Sequence, residues 1–242
     1  MELLVIACFG LIAWMNAAVG HGGASGYTAL MVLAGFAQVI IRPVALELNL
    51  LVSALATWHF FRAGYFRKRL FLSLILLSVP MAYLGSLTVL PDRIYKVLLG
   101  CCLLISVVRI AIPMGHSEHN ATRLLPTWLA CIIGGFIGLV SGMVGIGGGI
   151  LLSPVLLLGR WLTIKETAAL SAPFIFVNSL AGLSGLFLSD KLSVFPEPFW
   201  LIAAMTGGLL GAWSGSRKLP VPALRWVLVV VLSVAAGKLF LP

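Results

Sequence analysis

Charge is what this sequence has least of. Only 10% of its 242 residues are charged, and Asp and Glu together number seven. No charge lies between Arg123 and Arg160. A soluble domain carries about 25% charged and 45–50% apolar residues. Here 61% are hydrophobic and the mean hydropathy is +1.12. That excludes a soluble globular protein and predicts an integral membrane protein with several spans. Cysteine is equally sparse. Cys8, Cys101, Cys102 and Cys131 all lie in apolar segments without metal-ligand spacing, so neither a metal site nor a disulfide framework is expected. Catalytic signatures are missing as well. There is no HExxH, no GxSxG, no pair of intramembrane carboxylates and no Walker loop. An enzyme is therefore not expected, no cofactor is implied, and ATP cannot drive the protein directly. The net charge of +9 does not point to nucleic acid, because the basic residues gather in a few loops and report topology. Glu2 stands where a signal peptide would be basic, so the apolar start is read as a helix and not as a cleaved leader.

What is abundant is glycine, and one stretch of it dominates. Gly142-Met143-Val144-Gly145-Ile146-Gly147-Gly148-Gly149 sits inside a long apolar run and leads into Ser153-Pro154. Each glycine costs a helix about 1 kcal/mol relative to alanine. Unwound backbone survives in a bilayer only where protein or a cavity surrounds it. The stretch thus predicts a broken helix at membrane depth. The segment that restarts after the break aims free N–H groups and a positive dipole end into it, which suits an anion.

The feature occurs twice. A single offset of 125 residues carries Val19-Gly20-His21-Gly22-Gly23 onto Val144-Gly145-Ile146-Gly147-Gly148. The same offset carries Gly10 onto Gly135, Leu33 onto Leu158, and Val52, Leu55 and Ala56 onto Val177, Leu180 and Ala181. The chain reads as two copies of one unit, residues 1–112 and 127–242, joined by a polar linker, 113–126. Helices are expected at about 3–18, 27–40, 44–61, 70–90 and 93–112. In the second copy they are expected at about 127–144, 150–158, 166–188, 199–214 and 221–241, with Arg42-Pro43 read as punctuation before the third helix. Matching interrupted segments in two halves are the best sequence pointer to a transporter's substrate site. Glycines that merely let helices pack closely are the simpler explanation for either copy taken alone.

Loop charge sets orientation. The loop after the third helix carries Arg62, Arg67, Lys68 and Arg69, whereas its counterpart holds Asp190, Lys191 and Glu197. The next turn reverses the bias, with Asp92 and Arg93 against Arg217 and Lys218. Since positive loops stay in the cytoplasm, equivalent loops lie on opposite sides and the repeats are inverted. Three or five crossings per repeat satisfy this. The shortness of 150–158 favours three, with the first two helices as arms of a hairpin. The fold class expected is an all-α polytopic membrane protein. Two inverted-topology repeats carry glycine-broken helical hairpins that meet near the midplane, with the linker cytoplasmic and both termini periplasmic.

The glycine motif running into Ser153-Pro154, Asn178 followed by Gly182, and the Leu219-Pro220 turn before Leu224-Arg225 together resemble the TauE/SafE sulfite exporter family, also called the 4-toluene sulfonate uptake permeases. The resemblance covers the whole chain. It implies a bacterial inner-membrane secondary transporter of small sulfur-containing anions such as sulfite or organosulfonates, in many cases an exporter. His21 against Ile146, and Ala24 against Gly149, make the first break chemically different and leave the choice of substrate open. An anion channel, or a membrane partner subunit without transport of its own, are the alternatives.

The residues expected to hold a small oxyanion are Gly20, His21, Gly22 and Gly23 at the first break and Gly145, Gly147, Gly148 and Gly149 at the second. Ser25, Thr28 and Ser153 can add hydroxyl donors, or can bond the i−4 carbonyl of their own helix. Asn49, Ser53 and Thr57 are spaced by four along one helix face, and Asn178 matches Ser53 at the repeat offset. Ser53 and Asn178 are taken as candidate cavity residues, helix–helix hydrogen bonding being the other role open to them. Protonated His21 can bind the anion or couple transport to protons, its pKa lying near neutrality. Glu47 is a candidate as an intramembrane carboxylate, and Arg42, Arg160 and Lys165 flank the breaks. The partners implied are the anion and the lipid bilayer; proton coupling and a homodimer are compatible with the same residues.

Overall fold

The computed structural model describes residues 2–18, 24–62, 64–111, 124–189, 198–215 and 221–240. These residues form helices throughout. In chain order they are α1 (Glu2–Ala18), α2 (Ala24–Leu33), α3 (Gln38–Arg62), α4 (Lys68–Leu87) and α5 (Asp92–Ala111), then α6 (Thr127–Val144), α7 (Gly149–Leu158), α8 (Ile164–Leu188), α9 (Pro198–Gly215) and α10 (Val221–Phe240). Five of them, α3, α4, α5, α6 and α8, are long and apolar enough to cross a membrane. The outer face of the bundle is apolar, with Leu72, Leu76 and Leu84 of α4 and Trp128, Ile132 and Phe136 of α6 all exposed. Exposed apolar area on this scale marks a lipid-facing surface.

The expected break before the third helix is not there. Arg42 and Pro43 lie inside α3, which begins at Gln38. Pro43 forfeits one backbone bond near the helix start, and tertiary contacts of Arg42 hold the turn together. The second helix is shorter than expected and ends at Leu33. Four residues then lead to α3, including Gly35 at φ +82°.

Close backbone approach builds the interior. On α6, Gly134, Gly138 and Gly142 recur every four residues, and a Cβ at each would collide with the carbonyl oxygen of Leu74, Ser78 and Ala82 on α4 in turn. Such small-residue stripes let membrane helices pack by contact, where hydrophobic driving force is absent. Both series rise together, so α4 and α6 run in the same direction. α8 shares that direction. Arg67 at the start of α4 meets Glu166 at the start of α8, Ser78 meets Asn178 halfway, and Ser86 lies against Gly185 near the far ends. α3 runs the opposite way across α8, with Leu46 beside Gly182 and Asn49 in the neighbourhood of Ser179. Helix α1 packs along α9 as α6 does along α4, and α5 packs along α10. The buried core that results draws on Phe9, Tyr27, Leu48, Leu99, Leu152 and Phe174.

Candidate functional site

α6 ends at Val144 because Gly145 turns left-handed, with φ +87°, and donates its N–H to the Ser141 carbonyl at 2.7 Å. Gly147 and Gly148 also sit at positive φ, +70° and +80°. Only glycine adopts such a run without strain. α7 restarts at Gly149 with no side-chain cap. The first N–H groups to bond within it are those of Leu151 and Leu152, both to the Gly148 carbonyl at 3.1 and 3.0 Å. The N–H groups of Gly149 and Ile150 stand ahead of that ladder. The chain around them is fully buried, from Val144 to Ser153.

The break is level with the middle of α8. A Cβ on Gly147 would sit 2.8 Å from Ile175 Cγ2, 2.9 Å from Ser179 Oγ and 3.3 Å from Asn49 Nδ2. A Cβ on Gly148 would sit 3.0 Å from Ile137 and Phe174 and 3.4 Å from Ser141. Asn49 is 1% exposed, and Ser141 and Ser179 are 0% exposed. Among the described residues the side-chain oxygen and nitrogen of Asn49, and the hydroxyls of Ser141 and Ser179, have no hydrogen-bond partner. Buried polar atoms are nearly always paired, because leaving one unpaired costs about 1–3 kcal/mol. Three such side chains from α3, α6 and α8 surround one helix start.

The arginine nearest the turn is held at the ends of α4 and α6. Gly145 packs against the backbone of Arg42. The guanidinium donates to the carbonyls of Ser86 at 2.9 Å, Gly142 at 3.1 Å, Thr88 at 3.2 Å and Gly85 at 3.5 Å. It thereby caps the negative ends of α4 and α6 together. Tyr95 of α5 donates to the Val144 carbonyl at 3.3 Å, closing the same end.

The other expected residues fall in different places. Gly20, His21, Gly22 and Gly23 lie outside the described residues. Ser25 and Thr28 are buried on α2. Ser53 is buried and its hydroxyl reaches the Leu50 carbonyl at 3.4 Å. The Ser153 hydroxyl bonds the Gly149 carbonyl at 2.9 Å and lies 3.0 Å from Ser171 Oγ. Asn178 donates to the Phe174 carbonyl at 2.9 Å and accepts from Ser78 at 2.7 Å, which joins α8 to α4. Glu47 is half-buried within α3, Arg160 is exposed in the turn after α7, and Lys165 at the start of α8 lies over the Tyr65 ring at 5.7 Å. Ser141 and Ser179 went unnoticed in the sequence. The signal for Ser179 was its place beside Asn178, and for Asn49 its place on the polar face that also carries Ser53.

Comparison with known proteins gives the family. The family model "Sulfite exporter TauE/SafE" matches residues 5–239. A curated relative from Sinorhizobium fredii (strain NBRC 101917 / NGR234), "Probable membrane transporter protein y4hK", is 42% identical over 98% of this chain and 96% of its own length. No solved structure matches. A chain matched by the family model over nearly its whole length, with a relative this close, is a membrane transporter and not an enzyme, and it belongs to the TauE/SafE sulfite exporter family.

Proposed function

We propose that the protein is a secondary carrier of small sulfur-containing anions, such as sulfite or organosulfonates, and that it works as an exporter in a bacterial inner membrane. The single observation that carries this is the start of α7. Unladdered N–H groups, a positive dipole end and three unpaired buried side chains converge there at the depth of the α8 midpoint. Neutral donors suit a transported anion, because they bind it without a fixed countercharge that would slow release.

Alternating access follows from two inverted repeats, residues 1–112 and 127–242, rocking against each other. One observation supports the duplication and two support inversion. Corresponding helices match in length, 17, 10, 25, 20 and 20 residues against 18, 10, 25, 18 and 20. The counterparts α3 and α8 run in opposite directions. Equivalent loops carry opposite charge bias. α6 begins, and α7 leads back, on the side of the bundle where Arg67 meets Glu166. That is a hairpin entering and leaving one face, and it gives three crossings per repeat. α7, about 15 Å long, is half a span, but α6 at about 27 Å nearly reaches across. The hairpin is therefore asymmetric, and α6 overshoots the level at which α7 starts. The linker is then cytoplasmic and both termini are periplasmic.

Purified protein in liposomes tests the cargo. Saturable sulfite uptake, competed by thiosulfate or sulfoacetate and not by chloride, is the expected result. Folded protein that moves none of the sulfur anions would overturn it.

A further inference from the structure

The proposed carrier needs a place where selectivity resides, and the unpaired side chains around Gly147 locate it. We infer that Asn49 of the first half and Ser179 of the second are direct ligands of the anion at the start of α7. This rests on the reading of the protein as an anion carrier.

Two independent observations meet here. One is the uncapped start of α7. The other is a pair of fully buried, unpartnered side chains whose polar atoms both face Gly147. Asn49 Nδ2 and Ser179 Oγ are donors, and the N–H groups of Gly149 and Ile150 lie one to two residues further on. An SO3 group presents three acceptor oxygens at one end of a small molecule, which is the complement of such a cluster. The terminal nitrogens of Arg42 donate to four carbonyls of α4 and α6 while its Nε is buried without a partner, and the donors that face Gly147 are neutral.

At the positions of these two side chains the halves differ in sequence. At the repeat offset of 125 residues, Asn49 corresponds to Phe174 and Ser179 to Ala54. Neither of those side chains offers a hydrogen bond. The two halves thus contribute different chemistry to a symmetric frame. Because Asn49 and Ser179 sit on α3 and α8, where the halves cross, relative motion of the halves separates the two ligands. Binding and release are thereby tied to the motion.

The test is anion binding by the full-length protein in detergent, independent of transport. Labelled sulfite in equilibrium dialysis should bind saturably. Asn49→Ala and Ser179→Ala should each weaken binding about tenfold or more, the cost of losing one hydrogen bond to a charged group. Ser184→Ala, at an exposed position on α8, should leave it unchanged. Ser179→Ala removes a single oxygen, so it decides the matter even where the asparagine variant misfolds. Undiminished binding in both variants would overturn the inference while leaving a sulfite carrier intact. Nitrate binding that Ser179→Ala abolishes, with no sulfite binding, would keep the site and overturn the cargo. No binding of sulfite, thiosulfate, sulfate, nitrate or chloride would overturn both.

Discussion

Gly147 is the residue on which most depends. It combines a φ of +70° with side chains of α3 and α8 at van der Waals distance or closer. A Cβ there carries backbone strain of roughly 1–3 kcal/mol and occupies the space that Asn49 and Ser179 face. Gly147→Leu is expected to abolish transport while the protein still reaches the membrane folded, which uptake beside a size-exclusion profile will check. Unchanged flux would remove the break from the mechanism. His21 makes a different prediction. If it couples protons, His21→Ala flattens the pH dependence of uptake between about pH 5 and 8; an identical profile excludes it. The glycines were legible from sequence because backbone freedom is a local property. The side chains around them were not. Asn49, Ser141 and Ser179 come from three helices, and only packing brings them to one helix start. Asn178 and Ser153 illustrate the reverse. Both are polar and buried in an apolar helix, and sequence cannot tell a side chain bonded to its own helix or its neighbour from one that waits for a ligand.

Among the elements, two arginines show how context sets magnitude. Arg42 is buried and donates to four carbonyls at the ends of α4 and α6, with the hydrogen bonds running from a charged group. Arg42→Leu should cost about 3 kcal/mol or more, since those carbonyls lose their donor where no water replaces it. Arg67 pairs with Glu166 at 2.6 Å, but its side chain is 42% exposed. Arg67→Ala should cost less than about 1 kcal/mol. Thermal unfolding of the two variants side by side will decide, and equal losses would contradict the assignment of Arg42 as the clamp. The glycine stripe of α6 predicts another large effect. Gly138→Leu should prevent α4 and α6 from closing, and its yield of folded protein should fall sharply, whereas normal yield and stability would show that the pair tolerates separation. Helix boundaries were readable from apolar length and turn residues for α1, α5, α6, α7, α9 and α10 to within one residue. Arg42-Pro43 misled because a charge followed by proline ordinarily ends a helix. Here the charge is satisfied by carbonyls of α4 and α6, which are remote in the chain.

The whole molecule is a helical bundle in which α3 and α8 cross in opposite directions, as the proposed inverted repeats require. Hydropathy made the membrane class legible, and the glycine motif running into Ser153-Pro154, with Asn178, Gly182 and the Leu219-Pro220 turn, made the family resemblance legible. Neither could reveal that Asn49, Ser141 and Ser179 gather around the start of α7, because they are scattered positions on three helices. Topology has its own check. Cysteines placed in the 113–126 linker should react only with cytoplasmic reagent, and one placed after Pro242 only with periplasmic reagent; labelling of both from one side would contradict inversion. The central claim is that an anion held at the start of α7 is carried across by a conformational cycle. Counterflow tests it most directly. Liposomes preloaded with unlabelled sulfite and given a trace of labelled sulfite outside should accumulate label transiently above equilibrium. Flux that rises without saturating and never overshoots would mean an open pore, and the carrier account would be wrong.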